Sequence, residues 1–280
     1  MRERTLGDIK VSGIGLGMMP LSVEGRPDEA RAIATVHAAL DVGVTLLDTA
    51  DSYHHPGAEP GHNEFLVARA LAGRREGVLV ATKGGRGHPA DGSWTVNGDP
   101  AHLQRACEAS LSRLGVEAIG LYQLHKPDPA VPWAESVGAL RDLLAAGKIQ
   151  RAGISNADAP QVREAYEILG DRLVSVQNEY SPKERASEEV LRLCEELRLA
   201  FLPWSPLGGI GNTGSLGKAF DAIAERRGVG PQRIALAWHL AGSPVSIPIP
   251  GSSRPSTIRD AAAAAELTLD AQERALLDAG

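Results

Sequence analysis

Short apolar runs and longer amphipathic segments alternate along the whole chain. The runs are bounded by Gly, Pro or charged residues, which predicts buried strands. In the first long segment, Ile33, Val36 and Leu40 recur at helical spacing behind Asp28, a residue type that caps helices. We predict strands over residues 13–17, 44–48, 78–83, 119–125, 149–155, 173–177, 199–204 and 245–249. We predict helices over residues 28–42, 63–72, 100–114, 133–146, 160–169, 184–197, 216–227, 231–241, 256–265 and 270–279.

This order of elements predicts an α/β fold with a parallel sheet, because the strands are apolar on both faces and the connections between them are helical. Eight such units over about 250 residues are typical of a (β/α)₈ TIM barrel, whose active site lies at the C-terminal ends of the strands. A doubly wound sheet is the alternative. We see no internal repeat and no linker, so we expect residues 1–280 to form a single domain.

Composition narrows the class of protein. The chain has 280 residues, of which 43% are hydrophobic and 23% charged, as in ordinary soluble globular proteins. A core of this size needs no disulfide. Cys107 and Cys194 both lie in predicted helices, which favours two free thiols in a reducing compartment over a bridge or a metal pair. The formal net charge of −6 argues against nonspecific binding to nucleic acid or to acidic membranes.

The N-terminal region does not read as a targeting signal. Residues 1–10 are charged, and the apolar run over residues 11–23 is too short and too interrupted by Gly for a signal core or a membrane span. We therefore expect a cytoplasmic protein that does not bind membranes.

Polar residues close three of the predicted strands. Asp48, Lys83 and His125 each end an otherwise apolar run, and Tyr53 follows Asp48 on the adjoining loop. Taken singly, a strand-end Lys is usually solvated, and a lone His usually only caps a core. In a barrel, however, the C-terminal strand ends converge, so we expect these four residues to meet.

Together the four residues suit acid–base chemistry at an oxygen atom. Lys83 paired with Asp48 would keep its charge and lower the pKa of the Tyr53 phenol toward the working range. His125 would bond a carbonyl oxygen and orient a substrate. We therefore predict a site that protonates an oxygen while negative charge develops on it.

Further polar residues follow the later strands and suit an anionic cofactor. Ser155 and Asn156 end the fifth strand, Gln177 ends the sixth, and Trp204 offers a flat ring for stacking after the seventh. Small residues and one Arg complete two turns at which a backbone can approach phosphate groups: Ser205, Pro206, Leu207, Gly208, Gly209, Gly251, Ser252, Ser253 and Arg254. Each segment alone is compatible with an ordinary turn, but four such segments together favour a binding site.

Two glycine patterns and a group of histidines do not carry this function. The glycines at 13–17 precede Met18, Met19 and Pro20 instead of a helix. Residues 209–214 match G-x-G-x-x-G, yet they lack the βαβ unit and the ribose-binding acid of a dinucleotide site. His54, His55 and His62 have no further ordered ligand beside them, so we predict loop residues and no metal.

Seven motifs in one order carry a family resemblance over nearly the whole chain. They are LLDTADSY (46–53), ATKGG (81–85), LYQLHKPDP (121–129), GKIQRAGISN (147–156), VQNEYSP (176–182), WSPLGG (204–209) and IPGSSRP (249–255). With these motifs the chain resembles the aldo-keto reductases.

The resemblance implies a barrel reductase that transfers hydride from NADPH to aldehydes or ketones without a metal. The tetrad of that family falls on Asp48, Tyr53, Lys83 and His125, with Tyr53 as general acid. The resemblance assigns the carboxamide ligands to Ser155, Asn156 and Gln177, the nicotinamide-stacking ring to Trp204, the pyrophosphate loop to Ser205, Pro206, Leu207, Gly208 and Gly209, and the adenosine phosphate region to Gly251, Ser252, Ser253 and Arg254. We also assign Gly17 and Met18 to the cofactor contacts.

The chain departs from the family pattern in two regions. The helix after the second phosphate segment has Thr257, Asp260 and Ala261 where relatives often have Gln or Arg followed by Glu-Asn, so a 2′-phosphate would rely on Ser252 and Arg254. The chain ends soon after residue 270, which implies an open pocket without the long tail of some relatives. We expect Met18, Met19, His54 and Trp94 at its edge, and no carboxylate-binding cluster.

Two other functions are compatible with parts of the pattern. A redox-sensing regulatory subunit would bind the nucleotide and turn over slowly, and the tetrad alone does not distinguish it from a reductase. A barrel aldolase would form a Schiff base on Lys83, which the cofactor segments disfavour. The physiological substrate and the oligomeric state are not readable from the sequence.

Overall fold

The fold was analysed in a computed structural model, and the structure describes residues 1–56, 58, 60–209 and 216–279. The strands are β1 (Glu3–Leu6), β2 (Ile9–Ser12), β3 (Leu16–Gly17), β4 (Leu46–Asp48), β5 (Leu79–Gly84), β6 (Arg86–Gly87), β7 (Thr95–Val96), β8 (Leu121–Leu124), β9 (Ala152–Ser155), β10 (Leu173–Gln177) and β11 (Ala200–Phe201). The helices are α1 (Glu29–Asp41), α2 (His62–Ala70), α3 (Pro100–Leu114), α4 (Trp133–Ala145), α5 (Ala159–Leu169), α6 (Glu188–Leu197), α7 (Lys218–Arg227), α8 (Pro231–Gly242), α9 (Pro255–Ala262) and α10 (Ala271–Ala279). No helix within these described residues is long and apolar enough to cross a membrane.

Seven of these strands form one curled parallel sheet in the order β11-β10-β9-β8-β5-β4-β3. Apart from the short β6–β7 hairpin, neighbours in the sheet are also neighbours in the chain, because each helical crossover returns to the next strand. The register pairs Asp48 with Ala81 and Lys83 with Gln123, so the carboxyl ends of successive strands lie along one edge. The sheet therefore gathers the polar strand ends that the sequence predicts.

The segment 245–250 has no regular strand, so the predicted strand over 245–249 does not form as such. It is nevertheless bonded to strands at both edges of the sheet: Phe201 N to Val245 O (2.9 Å), Ile247 N to Phe201 O (2.8 Å), Gly15 N to Pro248 O (3.0 Å) and Gly17 N to Pro250 O (3.0 Å). Pro248 and Pro250 have no N–H and cannot donate to a ladder, which prevents a continuous strand. Segment 245–250 is therefore hydrogen-bonded to both edge strands of the curled sheet, or to the residues beside them.

An antiparallel hairpin, β1–β2, precedes the parallel sheet and was not expected from the sequence. Its strands pair from Glu3 with Ser12 to Leu6 with Ile9, which leaves a two-residue turn. Gly7 in that turn has a φ of +59°, a conformation that glycine adopts without strain. The predicted first strand of the barrel also shortens, to β3.

The core has two parts, one on each face of the sheet. Leu46 belongs to the inner cluster and Leu47 to the outer, as the alternation of side chains along a strand requires. The inner cluster contains Leu6, Val11, Leu46, Leu79, Ala81, Leu121, Val174, Ala200, Leu202, Ile247 and Ile249. Leu6 and Val11 come from the β1–β2 hairpin, so this hairpin contributes to the inner core. Both faces of the parallel strands are therefore covered, which explains their uninterrupted apolar sequences.

Candidate active site

The ends of β4, β5 and β8 carry three of the predicted catalytic residues. Asp48 is the last residue of β4, Lys83 is the penultimate residue of β5, and His125 directly follows β8. Tyr53 lies on the turn after β4, where its amide donates to Ala50 O at 3.4 Å. The structure brings the four side chains together as the sequence predicts.

The Lys83 ammonium is the centre of this cluster. Its Nζ donates to Asp48 Oδ2 at 2.6 Å, to the Thr49 carbonyl at 2.8 Å and to the Tyr53 hydroxyl at 3.3 Å. Lys83 is completely buried and Asp48 is 2% exposed. Because a buried charge is tolerated only when it is paired and hydrogen-bonded, the Asp48–Lys83 pair requires all of these contacts.

The protonation states of Lys83 and Tyr53 follow from this environment. Burial alone would lower the pKa of Lys83, but the charge of Asp48 and the contact with Tyr53 more than offset it, so its pKa is raised and the ammonium stays charged. Burial raises the pKa of Tyr53, and the nearby charge of Lys83 offsets this only in part. The expected lowering of the Tyr53 pKa is therefore wrong, because desolvation outweighs the attraction of the Lys83 charge. The phenol is neutral and holds a proton to donate.

His125 stands beside the phenol as a neutral ring. Its ring meets the Tyr53 ring edge to face, with centroids 5.7 Å apart, and its Nδ1 lies 3.5 Å from Ser52 Oγ. Burial holds the pKa of His125 well below its ordinary value, and the charges of Lys83 and Arg86 lower it further. A neutral imidazole can offer one N–H to a substrate oxygen without adding charge.

Two glutamine side chains hold the second oxygen of Asp48. Gln177 Nε2 donates to Asp48 Oδ1 at 2.8 Å, and Gln123 Nε2 donates to the same oxygen at 3.3 Å. Gln123 was missed in the sequence analysis, although a fully buried amide inside the apolar strand β8 is itself a signal of a polar partner. Asp48 is therefore fixed from both sides and keeps Lys83 in place.

A cleft of about 1010 Å³ opens over this cluster. The predicted residues that line it are Gly17, Asp48, Tyr53, His125, Ser155, Asn156, Gln177, Trp204, Ser205, Pro206, Leu207, Gly209, Gly251, Ser252, Ser253 and Arg254. Lys83, Met18 and Gly208 do not line it. Lys83 is enclosed by its partners, and Met18 is fully buried in the outer core cluster. Of the expected rim residues, Met19 and Trp94 line the cleft, whereas Met18 and His54 do not.

The end of β9 and the residue after it are bonded to the neighbouring strands. Ser155 Oγ donates to Gln177 O at 2.6 Å, and Asn156 Nδ2 donates to His125 O at 2.9 Å. Asn156 has a φ of +59°, a left-handed conformation that Asn adopts more readily than most residues. This bend turns the two polar side chains toward the same wall of the cleft as Gln177.

The turn after β11 presents an indole and a bent backbone. Trp204 lines the cleft, and its buried Nε1 has no hydrogen-bond partner in the described part of the chain. Ser205, Gly208 and Gly209 have φ values of +48°, +87° and +108°, so the backbone turns sharply beside the indole. His239 Nε2 contacts Pro206 O at 3.0 Å and fixes the turn to α8. Residues 210–215, which contain most of the G-x-G-x-x-G match, lie outside the described residues.

The second predicted phosphate segment leads into helix α9. Arg254 is the N-cap residue and is exposed, and Ser252 Oγ donates to Arg254 O at 3.3 Å. Among residues 1–56, 58, 60–209 and 216–279, no carboxylate lies within ion-pairing distance of Arg254. Asp260 also lines the cleft but is paired with Arg233 of α8. A helix N-terminus and an unpaired guanidinium suit an anionic group.

Other lining residues were not predicted. Arg86 and Gln232 are polar, and Leu236 and Ile249 are apolar. The only sequence signal for Arg86 is its position directly after the Lys-Gly-Gly of ATKGG. In the described residues, no three His, Cys, Asp or Glu side chains form a group that could hold a metal ion.

Comparison with known proteins identifies the family. The model of the aldo/keto reductase family matches residues 13–279. An uncharacterized oxidoreductase of Schizosaccharomyces pombe is 34% identical over 98% of this chain and 88% of its own length. The chain belongs to the aldo/keto reductase family, and is an NAD(P)H-dependent oxidoreductase by that membership.

Two solved structures share the fold. An aldo/keto reductase from Klebsiella pneumoniae, solved with NADP and acetate, is 27% identical, with a TM-score of 0.84 over 99% of this chain and 94% of that one. The glycerol dehydrogenase of Gluconobacter oxydans is 28% identical, with a TM-score of 0.84 and the same coverage. These values show that the curled sheet and its helices follow the architecture of that family.

Proposed function

We propose that this protein reduces aldehyde or ketone carbonyls to alcohols with NADPH, using Tyr53 as the general acid. The observation that carries the proposal is the buried contact of the Lys83 ammonium with both Asp48 and the Tyr53 hydroxyl, at the base of a large cleft. Family membership and the NADP-bound neighbour support the choice of cofactor.

We further infer that segment 245–250 completes an eight-membered barrel. It is bonded to β11 on one side and to residues in and next to β3 on the other, which supports closure of the sheet. In such a barrel the residues after the strands form the active-site mouth. The single domain over residues 1–280 and the cytoplasmic location are parts of the same proposal.

The cleft residues fit a nicotinamide dinucleotide. The unpartnered Nε1 of Trp204 is a buried polar atom, which a bound group or water would satisfy, and the indole face suits stacking. Ser155, Asn156 and Gln177 would hold the carboxamide, since they line one wall beside that indole. Segments 205–209 and 251–254 would hold the phosphates through backbone amides and Arg254.

The chemistry that a bound NADPH supplies is hydride transfer to the carbonyl carbon. Tyr53 would donate its phenolic proton to the carbonyl oxygen as charge develops there. Lys83 remains charged and would stabilise the phenolate that is left, while Asp48 holds Lys83 in position. His125 is neutral and would orient the oxygen. An aldolase is disfavoured, because a charged Lys83 is not a nucleophile.

Oxidation of NADPH with a panel of aldehydes, ketones and quinones tests the proposal. The wild-type protein should turn over at least one class of carbonyl, and Tyr53→Phe should lower kcat about 10²–10⁴-fold while NADPH still binds. Near-wild-type turnover by a folded Tyr53→Phe variant would remove Tyr53 as the acid. Tight NADPH binding without turnover of any substrate would favour the regulatory subunit instead.

A further inference from the structure

Arg86 is a cation in the cleft that belongs neither to the acid–base cluster nor to the cofactor segments. It is the first residue of β6, two residues after the end of the parallel strand β5 that carries Lys83. It lines the same cleft as Tyr53, His125 and Trp94. The contacts and surroundings of Arg86 indicate what it binds.

The Arg86 side chain is held in one position by a small hairpin. β6 and β7 pair Arg86 with Val96, so Trp94 comes back over the arginine. The guanidinium lies 4.5 Å from the centre of the Trp94 ring, and His88 stacks on Trp94 with its ring 4.0 Å away and nearly parallel. His88 Nδ1 is in turn 3.0 Å from His54 O. This stack preorganises the guanidinium without using its hydrogen-bond donors.

No protein group in the described part of the chain satisfies those donors. The Nε of Arg86 is buried and has no hydrogen-bond partner there, and no described carboxylate lies within ion-pairing distance. Lys83 and Arg233 differ, since Lys83 is paired with Asp48 and Arg233 with Asp260. Arg254 also lacks a described carboxylate partner, but it is exposed and belongs to the proposed cofactor segment. A buried donor of a charged group without a partner is costly, so a ligand oxygen is the natural partner.

The position of Arg86 favours the substrate over the cofactor phosphates. The proposed phosphate segments follow β11 and segment 245–250, whereas Arg86 follows β5, four strands along the sheet from β11. The charge of Arg86 also acts on the reacting end of the site, because it contributes to lowering the pKa of Tyr53 and of His125. An anion on Arg86 would thus lie in the same part of the cleft as the carbonyl that Tyr53 protonates.

We propose that Arg86 binds an anionic oxygen group of the substrate, so that the preferred substrates are carbonyl compounds carrying a carboxylate or a phosphate. The guanidinium offers a planar fork that pairs with either group through two hydrogen bonds. The sequence suggested an apolar pocket without a carboxylate-binding cluster. Under this proposal Arg86 provides such a group, and that expectation is revised. This inference rests on the proposed carbonyl reduction and deepens it.

The test compares benzaldehyde with benzaldehydes that carry an anionic group. We would assay the wild type and Arg86→Gln with three aromatic aldehydes: benzaldehyde, para-carboxybenzaldehyde and para-formylphenyl phosphate. The ratio of kcat/KM for an anionic aldehyde to that for benzaldehyde should fall about 10–100-fold in Arg86→Gln, the range for loss of a charge-assisted hydrogen bond. The value for benzaldehyde should fall less than that for the anionic aldehydes, because benzaldehyde loses only the effect of the Arg86 charge on Tyr53 and His125 and no direct contact.

Two further variants separate charge from geometry. Arg86→Lys keeps the charge but loses the fork, so it should restore only part of the preference. Arg192→Gln is the matched control, because Arg192 is an exposed residue of α6 paired with Glu188 outside the cleft. Its ratio should equal that of the wild type. A drop with only one of the two anionic aldehydes would support the proposal and identify that group.

An unchanged ratio for both anionic aldehydes in Arg86→Gln overturns the inference while carbonyl reduction itself stands. Calorimetry of the binding of para-(hydroxymethyl)benzoate, the alcohol product of para-carboxybenzaldehyde, gives a second readout that needs no turnover. The binding should weaken at least about tenfold in Arg86→Gln. Equal binding to both proteins counts against Arg86 even if no aldehyde is reduced.

Discussion

The Lys83 ammonium contacts both the Asp48 carboxylate and the Tyr53 hydroxyl, and each of its three N–H donors has a partner. Two contacts are short and go to Asp48 and the Thr49 carbonyl, while the third, to the Tyr53 hydroxyl, is longer at 3.3 Å. That contact would strengthen if the phenol became a phenolate, because a charged acceptor forms the stronger hydrogen bond. The geometry is therefore suited to a charge that appears only during the reaction.

Removing the ammonium should disable the same proton transfer as removing the phenol. We expect Lys83→Met to lower kcat by about 10²–10⁴-fold, since the remaining phenol is a far weaker acid. In the double variant with Tyr53→Phe the loss should be close to that of one single variant, because both residues serve one step. Steady-state kinetics of the three variants measures this, with fluorescence titration of NADPH as the control for intact binding. Multiplicative losses would show that the two residues act separately.

Single residues also mark the limit of what the sequence predicts. Asp48, Lys83 and His125 were predicted because a polar residue at the end of an apolar strand is conspicuous, and Tyr53 because it follows Asp48 on the adjoining loop. Gln123 and Arg86 were missed, since Gln123 lies inside a strand and Arg86 depends on a hairpin whose strands have only two residues each. The direction of the Tyr53 pKa was also wrong, because it depends on the balance between burial and Lys83, and burial is a property of the folded chain.

At the scale of elements, long amphipathic helices were predicted well and short strands poorly. α3 has its predicted bounds, because Asp99 caps it and Gly115 ends it with a φ of +64°. α6 starts four residues later than predicted, since Ser181 Oγ accepts from the amides of Lys183 and Glu184 and forms a turn there. Hairpins β1–β2 and β6–β7 are too short to produce a periodic pattern.

The Glu273 carboxylate of helix α10 pairs with two arginines of α7, and its contribution to stability can be tested. Glu273 is 1% exposed, and its oxygens accept from Arg226 at 2.7 Å and from Arg227 at 2.6 and 2.8 Å. These hydrogen bonds lower the pKa of Glu273 to about 2, first through Arg227. A folded-state pKa below the ordinary 4.5 means stabilisation that is complete above about pH 4.5 and lost as the pH falls toward 2.

We expect Glu273→Gln to lower the free energy of unfolding near neutral pH, because the charge that pairs with both arginines is lost. The loss should be only roughly 1 kcal/mol, because both arginines are partly exposed and solvent screens the interaction. Urea denaturation at several pH values measures this, and the difference from wild type should shrink as the pH falls below about 4.5. Glu196→Gln is the control, since Glu196 pairs with Arg163 on the exposed surface and should change stability by less than about 0.5 kcal/mol. A difference that persists unchanged at low pH would contradict the assignment.

At the scale of the whole molecule, the cleft holds cations although the chain has a negative net charge. The formal net charge is −6, yet the cleft carries two guanidinium groups without a described carboxylate partner, Arg86 and Arg254. Arg86 follows β5, and Arg254 follows segment 245–250. Asp48, which is paired with Lys83, lines the same cleft. An anionic cofactor at one end and an anionic substrate at the other would each meet one cation. Such a distribution would favour anions in the cleft, while the negative net charge of the chain disfavours nonspecific binding of anions elsewhere.

Binding of the cofactor should therefore stabilise the whole fold, and Arg254 should decide between the two nicotinamide dinucleotides. A ligand at 100 times its Kd adds about 2.7 kcal/mol of stability, which is roughly 5 °C in Tm for a chain of this size. NADPH should give the larger shift at equal concentration, because its 2′-phosphate can pair with the exposed Arg254 at the start of α9. Arg254→Ala should weaken NADPH at least about tenfold, equivalent to about 1.4 kcal/mol, and leave NADH nearly unchanged.

Thermal denaturation of both proteins with each dinucleotide, together with fluorescence titration, measures this preference. Arg259→Ala is the matched control, because Arg259 is an exposed arginine on the same helix that does not line the cleft, and both shifts should stay at the wild-type values. The distinguishing quantity is the difference between the NADPH and NADH shifts, since general damage to α9 would reduce both together. If Arg254→Ala weakens the two cofactors equally, Arg254 does not contact the 2′-phosphate. The preference for NADPH would then have to come from other groups around the helix N-terminus, such as Ser252 or Thr257.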